Sequence, residues 1–338
     1  MGVLAAFGQP GSGSRQRPPV CVVPETVFAY DRTMESEIHV GTSGYSFRDW
    51  VGTVYPPATP PGKYLTHYAK WFDAVEINAT YYRVPSPKMF EAILAKVSSE
   101  FTFVVKLPRE ATHLREKSHE VVAPFRDAIA PLIEHNQLAA LLAQFPYSFK
   151  KSESSVQYLE ALSGTWIPAG IPVNVEFRHI GWYQEETFKI LRALGLGFVN
   201  VDLPPLPGLP RPSNEVTSGI AYYRLHGRNT KTWWHHDSPG LRYDYLYAEA
   251  ALETWANRVK ENAGTVGKTF VFTNNCHLGQ SVVNALQLHQ RLGVKPPTSP
   301  PGTSQPLIEQ SIDSQIAVMT KQIESARSQD VHDHHTDI

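Results

Sequence analysis

Eight short runs rich in Val, Ile and Phe, set between longer stretches of helical periodicity, constrain this chain more than any other feature. They fall at residues 38–41, 74–78, 101–106, 139–143, 172–177, 197–201, 220–226 and 269–273. Helical patterns at 63–71, 87–97, 184–194 and 247–260 separate them, which is the signature of repeated βα units on a parallel sheet. Eight strands can close a barrel, and a core of roughly 260 residues has the usual size for one. A doubly wound open sheet is the alternative, but no Gly-rich dinucleotide fingerprint follows the first run. The expected fold is therefore α/β, a single (β/α)8 TIM barrel over residues 37–295. A flexible arm rich in Gly, Ser and Pro precedes it over residues 1–36. The C-terminal extension, 296–338, opens with five prolines between Pro296 and Pro306. Ile308, Ile312, Ile316, Met319 and Ile323 then recur at helical spacing, predicting an amphipathic helix docked on the barrel before a polar tail.

Charge narrows the function. Lys and Arg number 31 against 32 Asp and Glu, a net charge of -1, so no global positive field draws the chain to nucleic acid or an anionic membrane. Anion binding has to be local. Two cysteines, Cys21 and Cys276, are too few for a disulfide scaffold and suit a reducing compartment, with the cytoplasm as the expected location. No stretch is long and apolar enough to suggest a membrane span. Arg15 and Arg17, with no acidic residue before Glu25, leave a mitochondrial targeting segment open, against which Pro and Gly interrupt any long amphipathic helix.

Strand residues two apart share a face, which sorts the polar positions. Glu76 and Asn78 alternate with Val75 and Ile77, Glu176 and Arg178 with Val175 and Phe177, Asn200 and Asp202 with Val199 and Val201, and Arg224 and His226 flank Leu225. If the apolar partners pack under the helices, the polar ones point into the barrel near the strand C-termini, joined by Lys106 and Asn274. Barrel enzymes keep their chemistry at that end. Carboxylates and guanidinium groups there could also do no more than satisfy one another as a buried network, yet such pairs stabilise less than apolar packing. So many in one place suggest a ligand.

Several segments resemble the YecE-like proteins, the domain of unknown function 72. Gly41-Thr42-Ser43-Gly44-Tyr45, with Trp50 and Tyr55-Pro56, resembles that family's first-strand signature, and Val75-Glu76-Ile77-Asn78 with Thr80, Tyr81, Tyr82 and Arg83 its second. Phe103-Val104-Val105-Lys106 with Thr112-His113, then Gln144-Phe145-Pro146, then Val175-Glu176-Phe177-Arg178-His179 with Trp182 are similar to the third to fifth. Arg224-Leu225-His226-Gly227, and Asn274-Asn275 with Gly279 and Asn284-Ala285, are similar to the seventh and eighth. The resemblance implies a TIM barrel and no particular activity. It assigns nothing to Cys276, His277, the Pro-rich loop 203–212 or the termini.

The chemistry follows from residue types. Lys106, Arg178, Arg224 and Arg228 suit a carboxylate or phosphate. Asn78, Gln144, Asn274 and Asn275 can hydrogen-bond around it, and Tyr81, His113, His179 and Trp182 complete the expected substrate-binding set. Glu76, Glu176, Asp202 and His226 are the candidate general acids and bases. These features point to an enzyme on a small polar anionic substrate, a sugar, phosphate ester or nucleotide, with hydrolysis or isomerisation favoured. No cofactor is called for. The rivals are a divalent-metal phosphoesterase similar to the endonuclease IV group, using Glu176, His179, Asp202 and His226, and a noncatalytic nucleic-acid-binding barrel. Against a metal stand the interleaved arginines and the lack of a His-Glu-x-x-His spacing. Trp50, Tyr81, Tyr82, Trp182, Trp233 and Trp234 fall near strand ends where a sugar or base could stack, and the loop 227–243 is a candidate lid. Oligomeric state is left open.

Overall fold

The computed structural model describes residues 36–116, 118–294 and 312–333; the N-terminal arm and the Pro-rich linker fall almost wholly outside them. Eight parallel strands run β1 (Glu37–Thr42), β2 (Ala74–Ile77), β3 (Thr102–Lys106), β4 (Leu138–Gln144), β5 (Val173–Glu176), β6 (Gly197–Asp202), β7 (Ile220–Leu225) and β8 (Lys268–Thr273). They pair in the order β1-β8-β7-β6-β5-β4-β3-β2, so the expected (β/α)8 barrel is the observed fold. Its seam lies between β1 and β2, where the ladder shrinks to one bridge, Ser43 to Glu76.

A tyrosine makes good the missing ladder. Tyr68 ends α1 (Tyr64–Tyr68), and its hydroxyl accepts from the Thr42 N–H at 2.8 Å and donates to the Ala74 carbonyl at 3.0 Å. Buried backbone groups must be paired, and here a side chain from the outer layer does the pairing. The insertion leaves no room at the preceding residue: a Cβ on Gly41 would lie 2.3 Å from the Ala74 oxygen and 2.8 Å from the Tyr68 hydroxyl.

Helices α2 (Pro87–Leu94), α3 (Ser118–Glu134), α4 (Glu153–Trp166), α5 (Glu185–Leu194), α6 (Glu249–Ala263) and α7 (Gln280–Leu292) complete the outer layer. Local chemistry sets their starts: Pro87 brings a fixed φ to the first turn of α2, and Ser152 caps α4 by accepting the Ser155 N–H at 3.2 Å. Between β6 and β7 there is no helix. Pro204, Pro205, Pro207, Pro210 and Pro212 remove the donors a helix needs, and residues 203–219 cross as irregular chain.

That crossover overturns the expected facing of β6. Val199 and Val201 point into the lumen, clustered with Val104, Ala140, Leu142, Tyr222, Phe270 and Phe272, so Asn200 and Asp202 point outward. The Asn200 Oδ1 accepts from Glu215 N–H at 2.8 Å and Ser213 Oγ at 2.9 Å, and its Nδ2 donates to the Glu215 carbonyl at 2.8 Å. Irregular chain carries unpaired backbone groups, so the strand beneath it needs polar residues on its outer face.

Beyond the linker, α8 (Ile312–Asp333) docks on the barrel through Met319 and Ile323, with Ile312 and Ile316 partly buried beside them. Ile308 lies outside the described residues. No helix among the described residues is long and apolar enough to cross a membrane.

Tyr68→Phe removes the seam hydroxyl and strands the Thr42 N–H and Ala74 carbonyl. The expected loss is about 1–3 kcal/mol in urea denaturation; an unchanged midpoint and slope would show that the hydroxyl does not hold the seam.

Candidate active site

Two-residue steps along β2, β3, β4, β5 and β7 bring Glu76, Lys106, Gln144, Glu176 and Arg224 into one layer above the apolar lumen. Strand register sets Gln144 directly beside Glu176, while the others meet through their side chains, Glu76 sitting beside Val104 and Arg224 beside Val201 and Phe272. Arg224 is the hub. Its Nε and Nη2 fork onto Glu76 at 2.8 and 2.7 Å, its Nη1 reaches Glu176, and Nη2 also donates to Ser43 Oγ at 3.2 Å. The Tyr222 hydroxyl and the Asn78 amide, the latter at 2.9 Å, donate to the same Glu76 carboxylate. Glu176 is also ion-paired with Arg178. Burial opposes its charge, but Arg178 and Arg224 outweigh that and hold the carboxyl well below its ordinary range.

His226, just past the end of β7, is fully buried. Burial, reinforced by Arg178, pushes its pKa down to about 3. The Asn274 amide donates to Nδ1 at 2.7 Å, so the neutral ring carries its proton on Nε2, which faces Glu176 at 3.4 Å.

Lys106 is different. Its Nζ donates to the neutral Gln144 Oε1 at 2.7 Å and rests 4.4 Å above the centre of the Tyr81 ring, with no carboxylate partner among the described residues. Burial and then the neighbouring Arg224 push its pKa down to about 7, against the opposing pull of Glu176 and Glu76. His113, on a π-helical turn at Glu110–Leu114, meets the same Tyr81 ring edge-on at 4.9 Å. Burial, then Lys106, lowers its pKa to about 4, so it too is neutral at pH 7.

Above the layer opens a pocket of about 710 Å³. Of the residues expected from sequence, Glu76, Asn78, Tyr81, Lys106 and His113 line it, as do Gln144, Arg178, Arg224 and Asn274. Glu176 and His226 are buried behind the wall. The remaining positions need correction. Trp182 is in the core, stacked on Phe177 at 4.3 Å and donating its Nε1 to the Phe149 carbonyl at 2.7 Å; an aromatic just past a strand reads alike whether it stacks on ligand or core. His179 accepts the Gly181 N–H at 3.0 Å and stays off the pocket wall. Asn275 ties Tyr245 to Asn284 at 2.7 and 2.9 Å. Asp202 faces outward and pairs with Arg228 at 2.9 Å; burial raises its pKa against the pull of that arginine. The quartet Glu176, His179, Asp202 and His226 is thus not assembled, and no cluster of three metal-ligating side chains occurs among the described residues.

Sequence reasoning missed Tyr222, Arg242, Tyr243 and Tyr147. Tyr222 counts as apolar in a strand, and Arg242 sits in a loop without periodicity. The loop 227–243, expected as a lid, forms a stitched wall: Asn229 donates to the Leu241 and Asp244 carbonyls at 3.1 Å each, and Thr232 Oγ1 to Leu241 at 2.7 Å. Gln280 at 2.6 Å and Arg327 of α8 hold Asp244 from outside. The wall carries Trp233, buried, with the guanidinium groups of Arg178 and Arg242 at 6.0 and 5.4 Å from its ring centre. Cys276 also lines the pocket, but burial pushes its thiol up to about 12, out of reach as a thiolate nucleophile near neutrality.

A family model described as "Protein of unknown function DUF72" matches residues 39–306. The chain belongs to the DUF72 family. It is 27% identical over 274 residues to the UPF0759 protein YunF of Bacillus subtilis (strain 168), covering 76% of this chain and 95% of that one. It is 25% identical over 188 residues to the UPF0759 protein YecE of Escherichia coli (strain K12), covering 53% and 64%. A DUF72 family crystal structure from Thermotoga maritima MSB8 shares 43% identity and a TM-score of 0.71, covering 76% of this chain and 99% of the other. One from Enterococcus faecalis V583 shares 26% and 0.68, covering 76% and 96%. None of these names carries an activity.

Arg224→Met leaves Glu76 and Glu176 buried without their shared cation. It is expected to cost about 3–5 kcal/mol in urea denaturation, with much of the loss recovered when Glu76→Gln and Glu176→Gln are added. Because the folded pKa of Glu176 is depressed, its contribution is complete above its unfolded value and is lost as pH falls through the folded one. Glu176→Gln is therefore expected to reduce the fall in stability below about pH 4.3, and an unchanged acid limb would remove Glu176 from that account.

Proposed function

We propose that the pocket is the active site of an enzyme acting on a small anionic substrate. Arg178 and Arg242 hold the anionic group, and Lys106 is the group that exchanges a proton with the substrate. One observation carries this reading. Glu76 is the single carboxylate on the pocket wall among the described residues, and Arg224 consumes it, whereas Lys106 and Arg242 face the pocket with no carboxylate partner. The Arg242 Nε and Asn78 Oδ1 are buried without a protein hydrogen bond, a costly state that a bound phosphate or carboxylate and a hydroxyl would relieve. Tyr81, Tyr147 and Trp233 supply flat walls of the kind that pack on a sugar ring.

In this reading Glu76 and Glu176 serve as counter-ions of Arg224 and His226 as the neutral support of Glu176. Proton transfer falls to Lys106, whose ordinary pKa would leave it charged but which burial and its cationic neighbours bring to about 7, the range a general base needs.

Isothermal calorimetry with glycerol 3-phosphate and inorganic phosphate tests the anion site. Both are expected to bind, and Arg242→Ala to weaken binding about tenfold, the worth of one charge-assisted hydrogen bond. A bound anion raises the Lys106 pKa, so affinity is full below about pH 7 and declines as pH rises through the raised value, with proton uptake on binding near pH 7.5. Binding indifferent to both Arg242 and pH would refute this reading.

A further inference from the structure

We propose that Lys106 is an imine-forming nucleophile, and that the substrate carries a ketone or aldehyde beside its anionic group. This rests on the pocket being an anion site and adds the reacting group. Lysines at strand ends usually either pair with a carboxylate or bind an anion as ammonium. Lys106 does not do the first, since both lumen glutamates go to Arg224 and the Lys106 Nζ bonds, among the described residues, to the neutral Gln144 Oε1. For the second it is poorly placed, because burial in the lumen and then Arg224 disfavour its charged form. A buried site with a cationic neighbour suppresses the ammonium, and that exposes an amine lone pair for attack on a carbonyl carbon.

The walls suit the steps. The neutral amine adds to the carbonyl carbon, a C–N bond forms, and the C=O π pair moves to oxygen, which takes a proton. The amine proton is then lost, the oxygen leaves as water on accepting another proton, and the nitrogen lone pair closes the C=N bond. Carbonyl, amine and one net proton are thereby converted to the iminium and water. That iminium draws the electron pair of an adjacent C–H bond into an enamine as the proton leaves. That proton passes to solvent in the open pocket, where His113 shares the wall with Lys106, its ring and the Lys106 nitrogen 4.9 and 4.4 Å from the Tyr81 ring centre. Arg178 and Arg242, beside Trp233, hold the anionic end meanwhile. The reaction class is α-deprotonation of a keto or aldehydo acid or phosphate.

The test uses the full chain at pH 7 with sodium cyanoborohydride and either pyruvate or dihydroxyacetone phosphate, read by intact mass and peptide mapping. One adduct per chain on Lys106 is expected, slowed by inorganic phosphate, absent with glycerol 3-phosphate, which has no carbonyl, and lost in Lys106→Arg and Lys106→Met. Should those variants fail to fold, the pH dependence in the unaltered protein decides. With substrate well below saturation, where the free protein's value governs, trapping at Lys106 is expected to be half-maximal near pH 7, whereas surface lysines follow an ordinary pKa of about 10.4. Phosphate binding without any Lys106 adduct, or labelling scattered over surface lysines, overturns the imine and leaves the anion site standing. Failure of phosphate to bind removes the anion site itself and the inference with it.

Discussion

Arg224 and the two glutamates it spans are the constraint on which the site depends. One guanidinium reaches from β7 across the lumen to β2 and β5 and touches Ser43 just past β1, so its fork fixes the relative placement of four strand ends. Apolar residues of the same volume would stabilise such a layer at least as well. What the ions add is a fixed pattern of charge. With Glu76 and Glu176 committed to Arg224, no carboxylate among the described residues pairs directly with Lys106, and a buried lysine without such a partner loses its proton easily.

The layer is held from outside by two substitutions for regular barrel structure. Tyr68 stands in for a ladder at the β1–β2 seam, immediately beneath Ser43 and Glu76. On the far side, the helix-free crossover lets β6 turn Val199 and Val201 inward, leaving an apolar wall on that side of the lumen. Charge is therefore concentrated on the strands that face Lys106. The wall carrying Trp233 and Arg242 is fastened to α7 and α8 through Asp244, so the C-terminal helix supports the pocket from a distance.

Strand number and order were legible because eight apolar runs with helical spacers admit few architectures. The alternation rule correctly grouped residues by face, and it placed Glu76, Glu176 and Arg224 in the lumen as the structure does. It failed for Asn200 and Asp202 because period two says which residues share a face, not which face is inside. The missing helix that decides the matter was visible only as a cluster of prolines. Roles were harder to read than positions. Glu76 has the chemistry of a base until Arg224, 148 residues later, occupies it, and no local pattern announces a pairing at that separation. Tyr222 and Arg242 escaped for the opposite reason, their types and surroundings being ordinary in a strand and in a loop.

The central claim is that burial, reinforced by Arg224, brings the pKa of the Lys106 amine to about 7, so that a large share of it is neutral at physiological pH. NMR titration of protein carrying ¹³Cε-labelled lysine, with Lys106 assigned through Lys106→Arg, measures this directly. The account predicts one lysine titrating near 7, apart from a group near 10.4. A Lys106 resonance titrating with that group would contradict it.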